Sequence, residues 1–157
     1  MDKYFTLLDE AYSKGIKIKE NRCFKSNADA IINGNVIGLS KNLETTTEKQ
    51  CALAEELAHY DFNVGNILDQ SDTRSRQQEY RARKRIVFRF IKLDDFISAF
   101  ENHIANFHEL ADFFDVTEKF LTEALHIYKQ HYGPYTTHKN YLISFDPLYI
   151  CKKFEID

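Results

Sequence analysis

Apolar and polar residues recur along this chain with two different periods. Over residues 2–14, Tyr4, Phe5, Leu7, Leu8, Ala11 and Tyr12 repeat at helical spacing, and Gly15 follows as a C-cap. "GIKIKE" then alternates, the period of a short strand. In "ADAIINGNVIGLSKNL" (28–43), Asn33-Gly34 sits between two apolar runs. Both residues tolerate positive φ, so the pattern predicts a type I′ hairpin with strands over about 27–32 and 35–40. "NLETTTEKQCALAEELAHYDF" returns to the helical period through Leu53, Leu57 and Tyr60, predicting a helix over 48–62. Thr46 or Thr47 is its expected N-cap, and Glu48 suits the positive end of its dipole.

Residues 63–75 read as an irregular connection. Helices are then predicted over about 74–90, 93–104, 106–113 and 117–132, with Gly133-Pro134 as a stop. Within 106–132 the pattern is helix, turn, helix. Ala111 is small at the crossing, Phe113, Phe114 and Val116 pack the turn, and Thr117 caps the second helix. "KNYLISF" is a candidate strand, and the tail beyond it shows no pattern. The fold class is therefore α+β: a small sheet with a hairpin on the 48–62 helix, then a mostly helical C-terminal half. Residues 1–91 and 92–157 are the two expected regions.

Composition supports this picture. Hydrophobic residues make up 43% of 157, with 13 Phe and 9 Tyr but no Trp, so the core is expected to be rich in aromatic rings. Two prolines and five glycines favour helices over a loop-rich sandwich. A net charge of −3 gives no global attraction to nucleic acid or anionic membrane. No apolar run approaches the roughly 20 residues of a membrane span, and the charged N-terminus does not read as a signal peptide. Cys23, Cys51 and Cys151 are odd in number and widely spaced, as expected of free thiols in a reducing cytoplasm.

The chemistry concentrates in "EELAH", residues 55–59. Glu55 and His59 are four apart and share a helix face, with Glu56 beside them. This is H-E-x-x-H with its first histidine replaced by glutamate. In H-E-x-x-H the outer residues hold zinc and the inner glutamate is the general base. Zinc accepts carboxylate oxygen at about the imidazole bond length, roughly 2.0–2.2 Å. A carboxylate adds negative charge and widens the metal range toward Mn²⁺. Glu79, on the next predicted helix, is the natural third ligand, and the small Ala82 one turn on would let that helix approach closely. Alone, an E-E-x-x-H pentad is more often a solvated helix than a metal site. The upstream hairpin strengthens the metal reading, because a sheet edge beside a metal helix can receive a substrate strand.

Residues 28–90 resemble the ImmA/IrrE family of metallopeptidases in the order of their parts: "AIINGNVIGLSKNL", "EKQCALAEELAHYDFNVGNILDQS" and "RQQEYRARK". The resemblance implies a zincin-like fold, a Zn²⁺ cofactor (Mn²⁺ as alternative), metal ligands Glu55, His59 and Glu79, and Glu56 as the catalytic glutamate. Glu55 departs from the family's usual histidine. The resemblance further implies cleavage of a helix-turn-helix repressor encoded nearby, derepressing a phage or mobile element. The alternative is an antirepressor that binds the same partner without cutting it.

Other features carry weaker readings. Cys51 lies on the Glu55–His59 stripe but reads better as a small buried thiol. "FHELAD" (107–112) mimics H-E-x-x-D, yet the helix–turn–helix pattern explains it, with His108 at the surface. Glu109, Asp112, Asp115, Glu118 and Glu123 count against DNA binding by that unit, since an acidic face repels phosphate. The basic run Arg74, Arg76, Arg81, Arg83, Lys84, Arg85 and Arg89 reads first as a solvated helix face.

Overall fold

Six helices and two three-stranded sheets order the residues described by the computed structural model, 2–65 and 73–153. They divide into two units, Met1–Ile86 and Val87–Asp157.

The first unit opens with α1 (Lys3–Ser13), capped by Asp2, whose carboxylate accepts from the Tyr4 N–H at 2.8 Å. Past its end Gly15 takes φ +76°, and the Ile16 N–H reaches back to the Ala11 carbonyl at 2.9 Å. Only glycine adopts that backbone cheaply. The chain then enters β1 (Lys17–Arg22), β2 (Ala30–Asn33) and β3 (Val36–Ser40). The sheet order is β1-β3-β2, with β3 parallel to β1 and antiparallel to β2.

The hairpin forms as expected, but its turn is shifted by one residue. Asn33 pairs with Val36, so the central residues are Gly34-Asn35, and only Gly34 has positive φ, +61°. That is the type II′ pattern rather than I′. One positive φ is required, glycine supplies it, and Asn33 is used as the last strand pair.

The next helix, α2 (Thr46–Gly65), is longer than the spacing predicts and is followed by α3 (Thr73–Phe90). Of the expected 63–75 connection, 63–65 and 73–75 are thus helical and 66–72 lies outside the described residues. The N-cap of α2 is Thr45, not Thr46 or Thr47. The Glu48 N–H donates to Thr45 Oγ1 at 3.1 Å, and the Thr45 hydroxyl donates to Glu48 Oε1 at 3.2 Å. Thr45-x-x-Glu48 has the capping-box sequence, with the return contact of Glu48 made to the threonine hydroxyl and to the Glu44 N–H at 3.4 Å. α2 packs against α1, β2 and β3. Leu7, Ala11, Ile16, Ile37, Leu39, Leu53 and Leu57 are almost fully buried. They come from α1, the turn after it, β3 and α2, and burying them fixes which side of α2 faces inward.

The second unit holds the end of α3, then α4 (Leu93–Glu101), α5 (Phe107–Phe114), α6 (Glu118–Tyr132) and an antiparallel sheet β4 (Tyr135–His138), β5 (Tyr141–Phe145), β6 (Leu148–Lys152). Asn106 and Thr117 cap α5 and α6, accepting from the Glu109 and Phe120 N–H groups at 2.8 and 3.1 Å. Phe114 and Val116 are buried at the α5–α6 turn as expected, but Phe113 is exposed. The tail is also more ordered than its sequence pattern implies. β5 covers the expected strand, and β4 and β6 flank it. In this sheet only Ile143, Ser144 and Phe145, on the central strand, are buried. The core is aromatic: Phe96, fully buried, meets the rings of Phe114, Tyr128 and Phe145 edge-on at 5.2–6.1 Å between centroids. The Tyr128 hydroxyl donates to the Ile91 carbonyl. No helix among the described residues is long and apolar enough to cross a membrane.

Candidate active site

The inward side of α2 is settled by Leu53, Ala54, Leu57 and Ala58, all buried. Glu55, Glu56 and His59 fall on the half-buried side of the helix. The 3.6-residue turn sets His59 one turn on from both glutamates. Cys51, on the same stripe, is buried like a small apolar side chain.

Partial burial shapes the electrostatics of this stripe. Loss of water, and then the adjacent charge of Glu55, push the Glu56 carboxyl up to about 7. Two carboxylates side by side in reduced dielectric do not both ionise freely. Burial holds the His59 imidazole below its ordinary value. Glu79 acts to raise it and Arg83 to lower it further. The imidazole is therefore neutral at pH 7, the form that ligates metals.

α3 supplies the remaining pieces. Glu79 Oε1 lies 3.9 Å from His59 Nδ1, so two residues of one proposed ligand set meet across two helices. Donors on one tetrahedral metal at about 2.1 Å are about 3.4 Å apart, close to the 3.9 Å observed. Arg83, one turn beyond Glu79 on α3, places Nη2 3.4 Å from the same Oε1. Its contact was hidden in the basic run. The signal that reveals it is the i, i+4 spacing from Glu79.

In donor chemistry a neutral imidazole and a carboxylate suit a divalent metal. The fit extends to the His59–Glu79 pair. Glu55 is not gathered with that pair, and among the described residues no three His, Cys, Asp or Glu side chains form a metal-holding group. The H-E-x-x-D mimic on α5 is a surface pair: His108 and Asp112 are 3.5 Å apart and each 73% exposed.

Comparison with protein families matches residues 12–126 to the peptidase family described as the IrrE N-terminal-like domain (Peptidase M78). No curated protein and no solved structure matches the chain.

Proposed function

Since the chain belongs to the ImmA/IrrE family of metallopeptidases, we propose that it is a zinc-dependent endopeptidase that cleaves a helix-turn-helix repressor and so derepresses a phage or mobile element. The observation that carries the site assignment is the meeting of His59 and Glu79 at 3.9 Å from separate helices, one turn from a half-buried Glu56. His59 and Glu79 would hold the metal, with Glu55 as the third donor. A bound divalent metal supplies Lewis acidity toward the scissile carbonyl and the attacking water.

The chain's own residues supply the rest. Glu56 is the general base: its ionised carboxylate takes a proton from water and delivers it to the leaving amide nitrogen. A carboxyl held near 7 suits both halves of that task, since it exchanges a proton at neutral pH with little bias. Burial, and then the adjacent charge of Glu55, keep Glu56 in this range, and His59 remains neutral because it is partly buried.

The incomplete gathering of the three donors favours a second reading, an antirepressor that binds the repressor without cutting it. One experiment separates the two. The adjacent repressor is co-expressed with wild type or Glu56→Gln, and metal content is measured in the purified proteins. The peptidase reading expects stoichiometric metal in both and repressor fragments only with wild type. Repressor inactivated equally by both, intact on a gel, establishes sequestration instead.

A further inference from the structure

Glu79 is shared. Its Oε1 faces the imidazole of His59 at 3.9 Å and the guanidinium of Arg83 at 3.4 Å. Arg83 is a permanent cation, and at 44% side-chain exposure it reaches Glu79 from the solvent side of α3. The donor stripe it adjoins is unusually acidic, because Glu55 stands where a neutral histidine is usual in H-E-x-x-H. Glu55 and Glu56 add carboxylates one turn from His59, on the same half-buried side of α2.

From this geometry we infer that Arg83 is the site's built-in counter-ion, competing with a divalent cation for the Glu79 carboxylate and thereby setting how tightly the site is loaded. The inference rests on the metal reading proposed above. Two physical effects act on a cation arriving beside His59 and Glu79. Arg83 orients Glu79, which favours binding, and it repels the incoming charge, which opposes it. Arg83 is partly solvated and attached by a single contact to one oxygen, so its orienting grip is slight. Repulsion between a unit charge and a divalent ion about 6 Å apart in water-like dielectric is worth about a factor of ten in affinity, and it wins. Charge at this position thus opposes cation loading of the His59–Glu79 pair. It holds affinity in a range where the site fills and empties, rather than trapping any cation it meets.

The test is direct titration of the purified full-length chain with Zn²⁺, and separately with Mn²⁺, by calorimetry at low and high salt. Wild type, Arg83→Gln, Arg83→Lys, His59→Ala and Glu79→Ala are compared. Arg83→Gln is expected to bind Zn²⁺ about tenfold more tightly than wild type at low salt. Arg83→Lys, which keeps the charge, is expected to stay near wild type. The difference should shrink in about 1 M salt, where the screening length is about 3 Å. A merely structural role for Arg83 would move none of these, and melting of the metal-free variants checks that they fold alike. Unchanged or weaker binding by Arg83→Gln, with binding lost in His59→Ala and Glu79→Ala, overturns the counter-ion role alone. Wild-type binding in His59→Ala and Glu79→Ala overturns the metal site itself, and the Arg83 inference with it.

Discussion

At the scale of single residues, Glu56 shows how position alone can change a side chain's chemistry. Nothing in "EELAH" marks one glutamate as different from the other. Burial on α2 and the neighbouring Glu55 raise Glu56 from 4.5 to about 7. A group whose folded pKa lies above its unfolded one costs no stability below the unfolded value. It becomes destabilising as pH rises through the folded value. The full shift would amount to about 3 kcal/mol, and discounting it for partial exposure leaves about 1 kcal/mol. Glu56→Gln is therefore expected to melt near wild type at pH 4.5 but to be more stable by about 1 kcal/mol at pH 8, measured with chelator present. His59 acts in the opposite sense, since its lowered pKa costs stability as pH falls below 6.5. That contribution is common to both proteins and cancels in the comparison. A variant that lost stability at pH 8 would show that Glu56 is not held protonated by its surroundings.

At the scale of elements, the sites of interest depend on how each helix and turn is begun. Thr45 Oγ1 satisfies the Glu48 N–H at the start of α2, and the Thr45 hydroxyl in turn donates to the Glu48 carboxylate. Thr45→Ala is expected to cost about 1 kcal/mol in chemical denaturation, whereas Thr47→Ala should cost little. Equal costs would return the cap to the position first read from the sequence. The β2–β3 turn rests on Gly34 at φ +61°, where an added Cβ meets no neighbour within 4 Å. Its constraint is thus backbone conformation, not space. Gly34→Ala should destabilise by about 1 kcal/mol, and Asn35→Ala by much less. The reverse order would favour the type I′ register.

At the scale of the whole molecule, each unit has its own core and its own expected response. Phe96 anchors the aromatic cluster of the second unit. Phe96→Ala should cost about 3–5 kcal/mol, read as lost hydrogen-exchange protection across α4, α6 and β5. In the first unit, metal binding to the native state alone should raise stability by mass action. The gain is about 2.7 kcal/mol at a Zn²⁺ concentration one hundred times Kd, reversed by chelator. Zn²⁺ that left the melting temperature unchanged at such an excess would exclude a native metal site.

The sequence by itself determined much of this protein. The helical period placed α1 through α6, the Asn-Gly pair placed a hairpin, and the glutamates and histidine of "EELAH" marked α2 as the candidate element for chemistry. These are local properties, set by spacing along one chain segment and by the φ that glycine tolerates. The fold class was legible on the same grounds, and the family through the resemblance of residues 28–90 to ImmA/IrrE metallopeptidases. Tertiary structure decided what depends on partners distant in sequence. The order β1-β3-β2, the edge strands β4 and β6 and the exposure of Phe113 follow from which faces are covered. The pairing of Glu79 with His59, and of Arg83 with Glu79, follows from the approach of α3 to α2 within the first unit. Charge state belongs to the same class. Solvent loss and neighbouring charge are properties of a place in the fold, so the sequence could name Glu56 but only the folded chain could set its proton affinity.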